Sequence, residues 1–487
     1  MTITSERASI VKRRFEKSAL LIAESPRLGG RANINSRRHS DDGAGNVRTG
    51  TKVSVSETTN PTAAPEAART PLPYFLGMMF LVSTLNMADR QIIGIVAEPL
   101  KNEFGLSDTM LGLVGGTAFA LVYPTLGLPL ARFADRFNRR NILAACLAFW
   151  SAMTMLCGLA PGFWTLALAR TGVAAGEAGY APCTHSLIAD SVKPENRATA
   201  FSILVLGISA GGLVASIIGG LVAQHYGWRA AFLAVGAPGF IVAALVFLTI
   251  KEPARAASSG PRAGAFAAFG KLIKSPPFLF CVIGSAFHLM VAYGLAAFGV
   301  AFFVRVHGMS VGEAAVMLGG AAAVAGALGS LIGGLAGDFL AKRDRRWLAW
   351  WPAATVFVAT LIGAPAFLMP AAGFAIAAAV VAVFANALYQ PATYALVQGV
   401  ADPRERASAA ALMIFIQNLA GLGLGPLIVG LLSDSMQAAL GPRALGVALA
   451  CLFLLNIPSA IAFFLSGKAW GRDPAKAGDG ASHMERT

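Results

Sequence analysis

Four charged side chains stand inside long apolar stretches of this 487-residue sequence. Asp89 and Arg90 are adjacent in the first such stretch, and Arg170 and Glu177 are seven residues apart in another. A charge at bilayer depth costs at least about 2.5–3.5 kcal/mol on insertion scales, so it faces a partner or water and marks a substrate or ion pathway. Seven residues are close to two helical turns, which places Arg170 and Glu177 on one face of a helix.

These residue types suit proton transfer and anion binding. Desolvation favours a protonated carboxyl, whereas a nearby arginine favours the carboxylate. A carboxyl that is alternately shielded from water and exposed to it can therefore take up and release a proton. We expect this role for Glu177 and Asp89. Guanidinium groups bind carboxylates and phosphates through paired hydrogen bonds, so Arg90 and Arg170 are expected to hold an anionic headgroup. The alternative is that the four charges form fixed ion pairs that hold helices together.

Polar side chains in the later apolar stretches are weaker candidates for a binding site. Hydrogen bonds between helices explain such residues at least as often as ligand contacts do, and for His288 packing is the favoured interpretation. The candidates for cavity lining are His288, Tyr293, Asn386, Tyr389, Gln390, Gln417 and Asn418.

Other chemistries find little support in the sequence. The five cysteines lie singly in apolar runs without metal-ligand spacing, and no phosphate-binding GxxxxGK[ST] loop is present. Residues 207–211 fit the GxSxG pattern of hydrolases, but no strand precedes them, as that pattern requires. We therefore expect a protein that is not an enzyme, has no metal or cofactor and binds no nucleic acid.

Composition indicates that lipid is the solvent of this chain. Hydrophobic residues make up 56% and charged residues 13%, against about 25% charged residues in soluble domains. Apolar stretches of about 20 residues, the length of a membrane-spanning helix, recur along the chain. We expect twelve such helices, at about 74–97, 108–131, 141–160, 163–188, 197–222, 229–250, 277–304, 311–336, 347–368, 371–398, 405–432 and 444–466.

Polar segments divide these helices into two groups of six. We expect a disordered cytoplasmic tail at 1–72, helical bundles at 73–250 and 277–467, a linker at 251–276 and a second tail at 468–487. The connections on one side of the helices carry a net charge of +9 and those on the other side −1. Basic loops face the cytoplasm, so both termini of this multi-pass protein of the inner cell membrane are expected there. We expect a monomer.

An internal repeat supports the division into six and six. Three segments recur in order at offsets of 203, 209 and 214 residues: 134–140 at 337–343, 197–200 at 406–409 and 228–230 at 442–444. A duplicated six-helix unit is typical of secondary transporters.

The loop at 134–140, with Asp135, Arg136, Arg139 and Arg140, resembles the signature motif of the major facilitator superfamily, and its Asp-Arg-x-Asn-Arg form resembles Spinster-like members. Further similar stretches are Asn86 to Arg90, Arg170 to Ala178, Gly227 to Phe232 and Lys251 to Pro253. The resemblance implies an all-α membrane fold of two pseudo-symmetric six-helix bundles. It also implies a conformational latch formed by Asp135, Arg136, Arg139, Arg140 and Asp338, and adds Asn86 to the substrate contacts.

The resemblance implies a secondary transporter that works by alternating access and is coupled to protons. A lysolipid or similar amphipathic anion is the leading substrate. An anion–cation symporter family also has an Asp-Arg pair in its first helix, so a small aromatic or aliphatic acid is an alternative substrate. A non-transporting sensor of the same fold is an alternative function.

Overall fold

The computed structural model describes residues 70–193, 196–253, 265–402 and 405–471, and in these ranges the chain is helical with no strand. The predicted tails at 1–72 and 468–487 lie almost wholly outside the described residues. The same holds for the middle of the predicted linker.

Six long helices make up the first half of the described chain. They are α1 (Leu72–Ile95), α2 (Asp108–Arg136), α3 (Arg139–Gly158), α4 (Phe163–Glu177 and Tyr180–Ser191), α5 (197–226) and α6 (228–249).

Six more make up the second half. They are α7 (Pro276–His307), α8 (Val311–Ala341), α9 (Trp347–Ala366), α10 (Ala372–Val400), α11 (Arg406–Leu440) and α12 (Ala444–Phe453 and Asn456–Trp470). Shorter helices, Ala97–Phe104 and Ala265–Ile273, lie in two of the connections.

The prediction of twelve membrane-spanning helices is confirmed. By length and composition, eight stretches of the described residues can cross a membrane, and two of these contain two helices each. Those eight therefore account for ten helices. The remaining two, α1 and α4, contain the four charged residues, which lower their apolar character.

Glycines in a left-handed backbone conformation separate two of the helix pairs. Gly227 (φ 85°) lies between α5 and α6, and Gly441 (φ 56°) lies between α11 and α12. A side chain at such a φ is strained, so glycine is the residue that can make these turns. After Gly227, Trp228 Nε1 and Arg229 Nη1 donate to the Glu103 carboxylate at 2.6 and 2.5 Å, and these hydrogen bonds lower the pKa of Glu103.

Helices α4 and α10 are both interrupted near their middles by a two-residue turn. The turns lie at residues 178–179 and 388–389, and a proline follows each of them within three residues. Pro182 and Pro391 have no N–H to donate to the carbonyl four residues earlier, which weakens the helix at these points. Discontinuous helices near the membrane midplane are typical of transporter binding sites.

The two halves contact each other at one end of the helices. The basic face is defined here as the end that carries the connections 2–3, 4–5, 6–7, 8–9 and 10–11, and the other end is called the opposite face. Among the described residues, the hydrogen bonds and ion pairs between the halves lie on the side of the opposite face.

A cluster of buried charges forms the centre of this contact between the halves. Arg305 of α7 donates to Glu98 at 2.7 Å and to Asp108 at 2.7 Å. Lys101 pairs with Asp108 at 2.6 Å, and the Ser433 hydroxyl of α11 donates to the same carboxylate at 2.6 Å. Two carboxylates and two cations thus neutralise one another across the interface between the halves.

A carboxylate of α11 caps the start of α2. Asp434 accepts hydrogen bonds from the backbone N–H groups of Asp108 (2.9 Å) and Thr109 (2.8 Å), and from the Thr109 hydroxyl (2.6 Å). The first N–H groups of a helix lack intrahelical partners, and an acid placed there also interacts favourably with the helix dipole.

Close backbone contact between α2 and α11 makes one glycine a test of this interface. A Cβ at Gly112 would lie 2.6 Å from the Pro426 carbonyl oxygen, whereas at Gly115 its nearest neighbour would be 4.0 Å away. Gly112→Ala should therefore lower the stability by about 1–3 kcal/mol, as overpacking does, while Gly115→Ala should not. Thermal unfolding of the two purified variants measures this, and equal midpoints would contradict the close packing.

Candidate functional site

The charges predicted on α1 and α4 meet in the interior of the first half. Arg90 Nε donates to Glu177 Oε2 at 2.6 Å. The Glu177 side chain is fully buried, and the Arg90 side chain is 17% exposed. The pair therefore consists of an enclosed carboxylate and a guanidinium with one open side. Breaking a buried pair by removing one partner typically costs about 3–5 kcal/mol.

Aromatic rings of α2 complete the surroundings of Arg90. The guanidinium carbon lies 4.9 Å from the centre of the Phe119 ring and 4.7 Å from that of Tyr123. The faces of aromatic rings attract cations electrostatically, and the attraction is stronger where water is excluded. These rings hold Arg90 beside Glu177 without adding a second carboxylate.

The other two charges lie deeper and are not paired with each other through their side chains. Arg170 Nη1 donates to the backbone carbonyl of Asp89 at 3.1 Å, and both residues are buried. Trp150 and Thr154 of α3 lie near the Asp89 carboxyl. Among the described residues, Asp89 Oδ1 and Arg170 Nε have no hydrogen-bond partner.

A cavity of about 320 Å³ lies between the two halves near these charges. Its walls come from α1 and α5 of the first half and from α7, α8 and α10 of the second. They are mostly small and apolar, with polar groups from Gln91, Ser216, His288, Asn386, Tyr389 and Gln390. A smaller pocket of about 40 Å³, lined by Arg90 and Tyr293, shares Gln91 and Ala296 with it. Arg90 thus connects the buried pair to the cavity.

Three of the predicted residues of the second half form one polar cluster on the cavity wall. His288 Nδ1 lies 2.9 Å from Asn456 Oδ1, and Asn456 Nδ2 donates to Asn386 Oδ1 at 3.4 Å. The rings of His288 and Tyr389 are 4.1 Å apart between their centres. The buried Tyr389 hydroxyl has no hydrogen-bond partner among the described residues.

The remaining weaker candidates are separate from this cluster. The Tyr293 hydroxyl lies 3.5 Å from Asn418 of α11. Gln417 is buried, and Gln390 lies on the cavity wall. Asn86 is buried beside Glu177, and its Nδ2 has no hydrogen-bond partner among the described residues.

The internal repeat relates the turn of α4, next to Glu177, to the turn of α10, next to Asn386. At an offset of 209 residues, α4 and α10 match at their turns: Glu177 with Asn386, Tyr180 with Tyr389, Pro182 with Pro391 and Thr184 with Thr393. Both threonines donate to the carbonyl of the matching tyrosine, at 2.7 and 2.9 Å. The second half therefore keeps the local structure but carries a neutral amide where the first half has a carboxyl.

The residues predicted as a latch lie on the basic face. Arg139 pairs with Asp190 and with Glu252 (2.7 Å), and the Arg140 guanidinium donates to the Ile250 carbonyl at 3.1 Å. These contacts tie α3, α4 and the end of α6 together within the first half. The other three, Asp135, Arg136 and Asp338, are exposed, and the latch role stays a prediction.

Several residues of the site were missed at the level of sequence. Phe119 and Tyr123 stand among other apolar residues of α2 without a distinguishing pattern. Asn456 offered a signal, because it is a lone amide in the apolar run of α12. Gln91 directly follows Arg90, and its place in that polar run was the available clue.

Comparison with known proteins gives a consistent family. The model of the Major Facilitator Superfamily matches residues 79–423. An MFS-type efflux pump of Mycolicibacterium smegmatis is 37% identical, over 82% of this chain and 93% of the pump. Protein spinster homolog 1 of Xenopus tropicalis is 27% identical, over 76% of this chain and 74% of that protein.

A solved structure agrees with these relatives. It is a bacterial homologue of the human lysosomal transporter Spinster in an inward-facing, unoccupied conformation. The similarity has a TM-score of 0.77 at 33% identity and covers 82% of this chain and 98% of that one.

A double-mutant cycle tests the energy of the Arg90–Glu177 pair. Arg90→Gln should cost about 3–5 kcal/mol, because it leaves a buried carboxylate without its cation. Glu177→Gln should cost less, since the amide oxygen still accepts from Arg90, and the double variant should be more stable than the sum of the two losses predicts. Thermal unfolding measures the cycle, with exposed Arg132→Gln as the control. Strictly additive losses would contradict the pairing.

Proposed function

The chain belongs to the major facilitator superfamily as a Spinster-like transporter, and from this premise we propose that it carries an amphipathic anion such as a lysolipid by proton-coupled alternating access. The observation that carries the proposal is the buried Arg90–Glu177 pair, which has one open side beside the cavity between the halves.

The proton step follows from competition for Arg90. An anionic group that enters the cavity competes with Glu177 for the guanidinium, because one cation cannot serve two buried anions at full strength. A Glu177 carboxylate that loses its cation in a buried site is favoured to take up a proton. Anion and proton are then bound together, which couples their movement in the same direction. Asp89 is the second candidate proton carrier, through its unpartnered Oδ1.

The walls of the cavity support an amphipathic substrate. The nearest charge is that of Arg90, which lines the small adjoining pocket on the side of the first half, while the second half offers small apolar side chains and the neutral groups of His288, Asn386 and Tyr389. An anionic headgroup fits the first side, with Asn86 as a further hydrogen-bond donor, and an acyl chain fits the second.

Alternating access assigns roles to the two faces. The described conformation has the halves joined at the opposite face, which supports an open pathway toward the basic face. By the distribution of lysine and arginine, the basic face is cytoplasmic. The chain then lies in the inner cell membrane with both ends in the cytoplasm, and a monomer contains the whole pathway.

The size of the cavity supports a second candidate substrate. About 320 Å³ is at the lower end of the range for small-molecule sites. A small aromatic or aliphatic acid fits this volume as it stands, whereas a lysolipid requires the cavity to widen or its chain to extend between helices.

A ligand panel separates the two substrate classes. Lysophosphatidylglycerol and lysophosphatidylcholine form one set, and small aromatic and aliphatic acids form the other. A ligand of the folded state raises its stability by about 2.7 kcal/mol at a hundredfold excess over Kd, so thermal unfolding of the purified protein reports binding. We expect stabilisation by lysophosphatidylglycerol that is lost in Arg90→Gln.

Matched tyrosine variants sharpen that measurement. Tyr389→Phe should weaken the ligand about fivefold, the value of one hydrogen bond of about 1 kcal/mol, while Tyr394→Phe on the same helix should leave it unchanged. Stabilisation by the small acids alone would replace the lysolipid by an organic acid. No response in either panel would contradict the assignment of the cavity.

Proton coupling is tested with a ligand that stabilises the protein in the panel. In reconstituted vesicles, Glu177→Gln should abolish flux driven by a pH gradient while exchange of labelled for unlabelled ligand continues, because the variant binds but carries no proton. Glu103→Gln, exposed outside the cavity, serves as the control. Gradient-driven flux at the normal rate in Glu177→Gln would rule out this residue as the proton carrier.

A further inference from the structure

The basic face has a corner in the first half where a buried arginine is fully satisfied by the protein. Arg139 is paired with Asp190 and with Glu252, and it also donates to the Ser186 hydroxyl at 2.7 Å and to the Pro253 carbonyl at 3.2 Å. Two carboxylates thus neutralise the start of α3 at this corner. A buried cation requires such compensation.

The matching corner of the second half has lost these carboxylates. At the offset of 209 residues that relates α4 to α10, Gly399 stands where the first half has Asp190. The Trp470 ring at the end of α12 lies against it, within 3.0 Å of where a Cβ would be. As far as it is described, α12 contains no acidic residue. The basic residues at this corner therefore lack carboxylate partners equivalent to Asp190 and Glu252.

A pocket of about 760 Å³ occupies the corner instead. Lys342, Arg345 and Arg406 line it, coming from the end of α8, the 8–9 loop and the start of α11. Among the described residues these three make no ion pair. The wall also has two acids, Asp338 and Asp402; because Asp402 is shared with Lys271, the cations around the pocket outnumber the carboxylates.

The surroundings of the pocket point to the bilayer. On α8, next to Asp338, Leu335 and Phe339 are 65% and 58% exposed and belong to the apolar surface that faces lipid. Tryptophan is enriched at the level of lipid headgroups, and Trp470 lines the pocket. A ligand here would meet three cations on its polar side and hydrocarbon on the other.

We propose that this pocket, lined by Lys342, Arg345, Arg406 and Trp470, binds the phosphate headgroup of an anionic membrane phospholipid. The lipid phosphate supplies the negative charge that Asp190 and Glu252 supply in the first half. Basic pockets between membrane helices on the cytoplasmic side bind such headgroups. This site is separate from the central cavity, and its function does not depend on the substrate proposed above.

Lipid nanodiscs of defined composition provide the test. The full chain is placed in phosphatidylcholine discs with increasing fractions of phosphatidylglycerol, and bound phosphatidylglycerol is measured by native mass spectrometry together with the thermal midpoint. Each basic residue contributes roughly a fivefold gain in affinity for an anionic lipid surface. We expect retention of phosphatidylglycerol and a higher midpoint, both lost when Lys342, Arg345 and Arg406 are all changed to glutamine.

A control of equal charge keeps the test specific. Arg132, Lys193 and Lys274 are exposed basic residues outside this pocket, and their triple change to glutamine should leave retention unchanged. Equal loss in both triple variants would overturn the site in favour of a general charge effect. Equal retention of phosphatidylglycerol and phosphatidylcholine by the unaltered chain would overturn it even if the triple variant failed to fold. Stabilisation by inorganic phosphate in detergent, without lipid selectivity, would replace the lipid by a soluble anion.

Discussion

A carboxylate inside the hydrocarbon layer must have a cation, a proton or water, and this requirement governs the centre of the molecule. Glu177 is fully enclosed and meets the requirement through Arg90. The aromatic rings of Phe119 and Tyr123 hold the guanidinium in place while leaving one side open. In the proposed mechanism, an anion or water that reaches Arg90 weakens its pairing with Glu177, and the carboxyl then takes up a proton in place of the cation. On that proposal, binding and proton transfer are linked through the hydrogen bond between Arg90 and Glu177.

The internal duplication built two similar scaffolds and gave them different chemistry. The turns of α4 and α10 keep their tyrosine, proline and threonine at an offset of 209 residues, but Glu177 is matched by Asn386. A neutral amide needs no counter-ion, so the second half can line the cavity with apolar groups and with His288, whose ring is hydrogen-bonded to the buried Asn456. The same loss of charge recurs on the basic face, where Gly399 matches Asp190. At these two places the first half thus carries a carboxylate where the second half has an uncharged residue.

The sequence was sufficient for the helices and for the identity of the central charges. Runs of about 20 apolar residues located twelve helices, because the bilayer imposes that length, and the high cost of buried charge singled out Asp89, Arg90, Arg170 and Glu177. Pairing could not be predicted, since the rotation of α1 against α4 decides which carboxyl meets which arginine. In the structure, Arg170 reaches the Asp89 carbonyl instead of its side chain.

The contact between the halves at the opposite face could not be predicted from the sequence, for a related reason. Arg305, Glu98 and Asp108 stand at helix ends, where charges are ordinary, and their convergence depends on how two six-helix units dock. Once docked, they form a compact cluster in which Arg305 serves two carboxylates and Asp434 caps α2. Separating the halves here would return these charges to water, which repays their desolvation and makes the closure reversible. A buried apolar interface of the same size would lack that compensation. In the proposed alternating-access cycle, charge at the opposite face therefore suits an interface that must open, just as the charge beside the cavity suits a site that must release its ligand.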